Sequence, residues 1–356
     1  MQALLFDFWY IDTYTILDTY LILDGENVME MKSVEFSIAL ILSILFTIAL
    51  LYATLEVPVI VHRYLLEFFP DYWWEFLKRI EALRPFGYIS FIATLVLILA
   101  GFIIRQMKIS ILGSIALYLP TFGYFAFAMF FLAGIGVLRL LWLPLLDLCP
   151  TILRLGDVIY LPCFLLALPL LLIAWTFRLP LTDLRGLNIP PSLIIMALGL
   201  IIFLLGVFTW LYGRFRRIRI IDFWIYRYSR HPQYFGFLLW SYGLTILAST
   251  IGAQRGGYVP PPSLPWLIST LIIVGVALHE ENVMARMYGD EYVRYRNCTP
   301  FMLPLPKQIS NLVTLPMKKL LGKSRPENGR EIASTILLYS IILILLSTPL
   351  IPLLKI

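Results

Sequence analysis

The chain has 356 residues, of which 60% are hydrophobic and only 14% charged, and its mean hydropathy is +0.84. Soluble domains run at roughly 45–50% apolar and about 25% charged, so a single water-exposed domain is excluded and a multispan membrane protein is expected. The net charge of +6 does not point to nucleic acid, because the basic residues cluster in short loops beside apolar runs, the pattern of membrane topology and anionic headgroups.

Residues 1–33 lack a basic start and a small-residue cleavage site, and they carry Asp7, Asp12, Asp18, Asp24, Glu26 and Glu30. They read as an acidic, aromatic, amphipathic arm at the membrane interface. A span needs roughly 20 apolar residues. The first candidate is 36–55, ended by Pro58, and 62–84 reads as an interfacial helix with Trp73 and Trp74 among Asp71, Glu75, Lys78 and Arg79. A second span covers 86–104. The apolar stretch 109–148, interrupted by Pro120 and by Gly134 and Gly136, is either one kinked span with an interfacial piece or two spans with a tight turn. Later spans are expected at 158–175, 191–212, 234–250, 266–278 and 332–350. The Gly- and Pro-rich stretch 252–263 cannot continue a helix and reads as a hairpin.

Lysine and arginine bias sets the orientation. The loop 213–231 carries Arg214, Arg216, Arg217, Arg219, Arg227 and Arg230, and 286–330 carries nine further basic residues, whereas the hairpin between them has Arg255 alone. Both basic loops are expected to face the cytoplasm, so the stretches around His231 and Glu280 should meet at one end of two antiparallel helices.

Several motifs fail on inspection. Gly322-Lys323-Ser324 lacks the earlier glycine of a phosphate loop, since Met317 stands there. Gly134-Ile135-Gly136 lies in an apolar run and reads as helix packing. Cys149, Cys163 and Cys298 have no CxxC spacing, so neither a metal site nor a disulfide framework is expected.

Two stretches carry chemistry. In Tyr226 to Gly236, Pro232 suits the first turn of a helix, whose positive end attracts an anion beside Arg230 and His231. Gly236 lets either a ligand or another helix come close. In the second stretch, Glu280 and Glu281 directly follow an apolar run, where ionisable groups are costly and usually functional. Gly289 can close that helix and Asp290 can start another; Tyr288, Tyr292 and Tyr295 fall at i, i+4 and i+7 and should share one face. A ligand with a carboxylate, an ammonium, hydroxyls and a base suits this set. S-adenosylmethionine has all of these and a dinucleotide has several.

Arg230, His231, Pro232, Tyr234 and Gly236, then Glu280 and Glu281, then Gly289, Tyr292 and Tyr295, then Pro300 and Pro304 form an ordered set. That set resembles the membrane methyltransferases typified by isoprenylcysteine carboxyl methyltransferase and phospholipid methyltransferase. The likeness covers about 158–304 and departs from the family where Trp224-Ile225 stand in place of a glycine before Tyr226. The apolar runs together give an all-α bundle of about eight spans, and the resemblance implies a small helical core within it, with a cytoplasm-facing pocket for S-adenosylmethionine and a lipidic acceptor arriving through the bilayer. On this reading Arg230 and Glu281 are catalytic, and Tyr226, His231, Tyr234, Gly236, Glu280, Tyr292 and Tyr295 hold the cofactor. The expected organisation is a membrane extension over 1–150, a methyltransferase-like core over 151–310, and a basic loop with a last span over 311–356. The competing readings are an NADPH-dependent sterol or isoprenoid reductase of related fold and a non-catalytic membrane protein.

Overall fold

A computed structural model of the protein describes residues 34–48, 151–176, 188–250 and 263–353, with single positions between 85 and 149. The expected acidic arm, the interfacial helix 62–84, most of 86–104, nearly all of 109–148 and the hairpin up to residue 262 lie outside the described residues.

Among the described residues every regular element is helical. The main helices are α1 (Val34–Ile48), α2 (Leu161–Thr176), α3 (Ile189–Phe215), α4 (Pro232–Thr250), α5 (Ser263–Cys298), α6 (Lys307–Leu321) and α7 (Gly329–Ser347). Short 3-10 turns at Ile152–Arg154, Asp157–Tyr160 and Trp224–Arg227 punctuate them. Among the described residues, three stretches are long and apolar enough to cross a membrane: α3, Trp266–Cys298 of α5, and α7. The expected spans 158–175 and 234–250 do form helices but do not join these three. The first opens as a 3-10 turn up to Tyr160, and α2 is described over the 16 residues that follow. The second, α4, is a core helix that buries Ser241, Thr245 and Trp240 among its neighbours.

Helices α3 and α4 pack antiparallel and in backbone contact. A Cβ on Gly199 would stand 2.3 Å from Trp240 N, and one on Gly236 2.4 Å from Phe203 N. Small residues at these positions let the two backbones touch, the usual basis of close helix packing in a bilayer. Next, α5 and α7 close on α4 through Tyr234, Leu238, Ile272, Val276, Ala277 and Ile332, joined by Met302. At the opposite end of α5, Ser263 Oγ donates to Asp157 Oδ1 at 2.7 Å and Arg154 Nε to its Oδ2 at 2.9 Å. There the Val158 N–H also donates to Ser347 Oγ at 3.1 Å, so one turn ties the start of α5 to the end of α7.

The backbone breaks from helical geometry at Gly289 (φ 53°, ψ −133°), where the helix was expected to close. Glycine adopts this left-handed region without the Cβ clash that other residues meet. The break also corrects one expectation: Tyr288 precedes it and Tyr292 and Tyr295 follow it, so the three tyrosines do not share one uninterrupted helical face.

Candidate active site

The site starts from the entry into α4. Pro232 is its first residue, placing Arg230 and His231 at the mouth of the helix. The turn before it is held in an unusual way. Trp224 has φ of 48°, in the region that favours glycine. Its indole stacks on Phe208 (centroids 5.3 Å, 6°) and on Tyr212 (5.0 Å, 26°), both on α3. The departure from the family's glycine thus falls at a position with glycine-like backbone, and aromatic packing offsets the strain.

Arg230 is 8% exposed and Glu281 3%. Arg230 Nε donates to Glu281 Oε1 at 2.5 Å. Its Nη1 donates to the carbonyls of Arg296 and of Thr299, the latter at 2.7 Å. The Arg230 backbone N–H donates to Pro300 O at 3.0 Å. One guanidinium therefore joins the mouth of α4, the middle of α5 and the segment after α5. Such a buried charge is tolerable only because its pairing is this complete.

His231 lies between the two glutamates. Its Nε2 is 3.3 Å from Glu281 Oε1, and its Nδ1 is 3.9 Å from Glu280 Oε2, beyond hydrogen-bond length. That Nδ1 is buried and has no hydrogen-bond partner among the described residues. Tyr234 OH donates to Glu280 Oε1 at 2.8 Å, one turn into α4, and its ring stacks on His231 at 5.8 Å. Phe301 presents its edge to His231 at 5.1 Å and lies 5.7 Å from the Arg230 guanidinium.

The expected residues converge with one qualification. Arg230, His231, Tyr234, Glu280 and Glu281 form the cluster just described. Tyr226 and Tyr292 are buried, and Tyr295 OH donates to the Tyr226 carbonyl at 2.9 Å, which docks the segment after Gly289 onto the 3-10 turn. Gly236 serves the second of its two expected uses: its open side is filled by the backbone of α3, not by space for a ligand. Sequence reasoning missed Phe301, Asn282, Arg296 and the Thr299 carbonyl. Asn282 follows the glutamate pair directly and donates to Pro326 O at 3.1 Å while buried, so its position was a readable signal. Among the described residues, no group of three or more His, Cys, Asp or Glu is arranged to hold a metal ion.

Residues 192–291 match a family model described as phospholipid methyltransferase. No curated protein and no solved structure matches the chain. The resemblance read from the motifs is therefore borne out over α3, α4 and most of α5. The matched segment contains Arg230, His231, Tyr234, Glu280 and Glu281, and ends one residue before Tyr292. Over that segment the chain is similar to phospholipid methyltransferases, and among the described residues three helices are long and apolar enough to cross a membrane.

Proposed function

We propose that the chain transfers a methyl group from S-adenosylmethionine to a lipidic acceptor, at the cytoplasmic end of α4 and α5. The observation that carries this reading is the buried Arg230–Glu281 pair, flanked by His231 and Glu280 within the family-matched segment. S-adenosylmethionine, when bound, supplies an electrophilic methyl group on a sulfonium. The residues suit such a molecule on one point of this structure: the His231 Nδ1 is buried, unpartnered and beside the Glu280 carboxylate, which can face an ammonium or a hydroxyl.

The protein's own groups do the positioning. Arg230 orients an anionic group of the acceptor or the cofactor. Glu281 fixes Arg230 and is the base within reach if the acceptor is an amine or a thiol. Tyr226, Tyr234, Tyr292 and Tyr295 build the aromatic wall around the cofactor, and His231 and Glu280 supply its polar contacts. Held by these residues, S-adenosylmethionine would supply its methyl group to the acceptor's lone pair. An acceptor already ionised needs little acid–base assistance, so orientation and exclusion of water supply most of the rate.

Titration calorimetry of the detergent-purified protein tests the reading, with S-adenosylhomocysteine and NADPH compared side by side. Saturable binding of the former without the latter is expected. Binding of NADPH alone would transfer the site to the reductase reading.

A further inference from the structure

The loop 322–328 between α6 and α7 is built with its charges in pairs. Lys323 Nζ reaches Glu327 at 2.8 Å and Glu331 at 3.0 Å. Asn328 caps α7 by accepting from the Glu331 N–H at 3.0 Å, and Glu331 accepts in turn from the Glu327 N–H at 2.7 Å. Pro326 is buried, and its carbonyl accepts from Asn282, the residue after Glu281. The loop is therefore fixed directly against the active site.

Arg325 is the exception in this loop. It is half-buried, and among the described residues it has no ion-pair or hydrogen-bond partner. Burial and then the positive charges of Arg230 and Arg296 depress its pKa, while Glu281 and Tyr292 act the other way, so it lies within the field of the site. Arg296 adds a second unspent donor: its Nε is buried and makes no hydrogen bond among the described residues. Arg230 is ion-paired with Glu281, whereas Arg296 and Arg325 make no ion pair among the described residues. Both side chains are half-buried, and Arg296 Nε is shielded from water, so an arriving anion would meet two guanidiniums with unused donors.

We propose that Arg296 and Arg325 form a subsite for an oxoanion, a phosphate or a carboxylate, carried by the lipidic acceptor. This deepens the methyltransferase reading and rests on it for the acceptor's role. Guanidiniums suit either oxoanion because their N–H fork matches both geometries. The acceptor is favoured over the cofactor as the source because of what borders the loop. Helix α6 ends at Leu321 and exposes Ile309, Leu312, Val313 and Leu320, an apolar stripe at helical spacing suited to the bilayer. A lipid reaching the site past α6 would bring its polar head to Arg325. Arg325 also lies well beyond the matched segment 192–291, on the loop that leads into α7.

The test uses the full chain in detergent, with dihexanoylphosphatidic acid, octanoate and uncharged dihexanoylglycerol as probes and S-adenosylhomocysteine in a parallel titration. The wild type should bind at least one anionic probe more tightly than dihexanoylglycerol. Arg325→Ala and Arg296→Ala should each weaken that probe about tenfold, as expected for a charge-assisted hydrogen bond. Arg325→Lys should recover part of the loss, and S-adenosylhomocysteine should shift by less than about twofold. A loss confined to the phosphate probe or to octanoate identifies which oxoanion the subsite takes. Unchanged affinity of Arg325→Ala for both anionic probes overturns the proposal. So does an equal loss for S-adenosylhomocysteine, which would hand the two arginines to the cofactor's carboxylate. A wild type that binds the anionic lipid but no S-adenosylhomocysteine refutes the methyltransferase reading and leaves the subsite standing.

Discussion

Replacing Glu281 with glutamine tests the centre of the site. The change keeps the side chain's shape and an oxygen to accept from Arg230 Nε, but it removes the negative charge. The Arg230 and Glu281 side chains are only 5% and 3% exposed, so water cannot replace what is lost. Breaking a buried ion pair from one side costs about 3–5 kcal/mol. The glutamine variant should fall at the low end, about 3 kcal/mol, because the carbonyls of Arg296 and Thr299 still accept from Arg230. That is a sizeable part of the roughly 5–15 kcal/mol that holds a domain folded. Denaturant unfolding of the purified protein measures it, and methyl transfer measured alongside should be lost. The double variant Arg230→Met with Glu281→Met separates structure from chemistry. The double replacement removes both buried charges but leaves the carbonyls of Arg296 and Thr299 without their donor, at about 1–3 kcal/mol, so it should be no less stable than the glutamine variant while activity stays absent. A glutamine variant within about 0.5 kcal/mol of wild type would refute the claim that the pair is desolvated. A double variant that regains activity would show the pair to be a structural brace only.

Three further outcomes follow from the geometry. Trp224→Gly and Trp224→Ala both lose the stacking on Phe208 and Tyr212, but only glycine sheds the strain of the positive φ, so the glycine variant should melt higher by about 1 kcal/mol; alanine equal or better would sink this. Gly236→Ala drives a Cβ into the backbone of α3 and should cost about 1–3 kcal/mol in thermal unfolding, whereas a neutral result would mean that α3 and α4 can separate without penalty. Burial holds the Asp157 carboxyl above the usual range, against the hydrogen bonds from Ser263 and Arg154 that pull it down. The folded state then keeps a proton that the unfolded chain releases, so stability should fall as pH rises from about 4 through the raised value. Asp157→Asn should flatten that slope, and a slope that persists in the variant would assign it to another group.

What could be read in the sequence depended on how far apart the partners lie and on what signals them. Arg230 and Glu281 stand 51 positions apart, yet their meeting was legible, because basic loops on either side of a Gly/Pro hairpin place both at the same end of adjacent helices. Gly289 was legible as a break, but its consequence was not: periodicity counted Tyr288, Tyr292 and Tyr295 along one continuous helix, and a single left-handed residue resets the register. The two uses of Gly236 could not be separated from sequence either, because a missing Cβ admits a ligand or a backbone equally, and only the position of Phe203 decides. Arg325 was out of reach for a different reason. It sits in a basic loop where every lysine and arginine reads as a topology signal, and its neighbour Lys323 is spent on Glu327 and Glu331 as that reading expects. What distinguishes Arg325 is the lack of a partner among the described residues, on a loop that Asn282 fastens beside Glu281, and a missing partner has no signature in sequence. The same logic runs through the site as a whole. Groups that pair with one another can be inferred from types and topology, whereas groups held in readiness for a ligand show themselves only once every other donor has been accounted for.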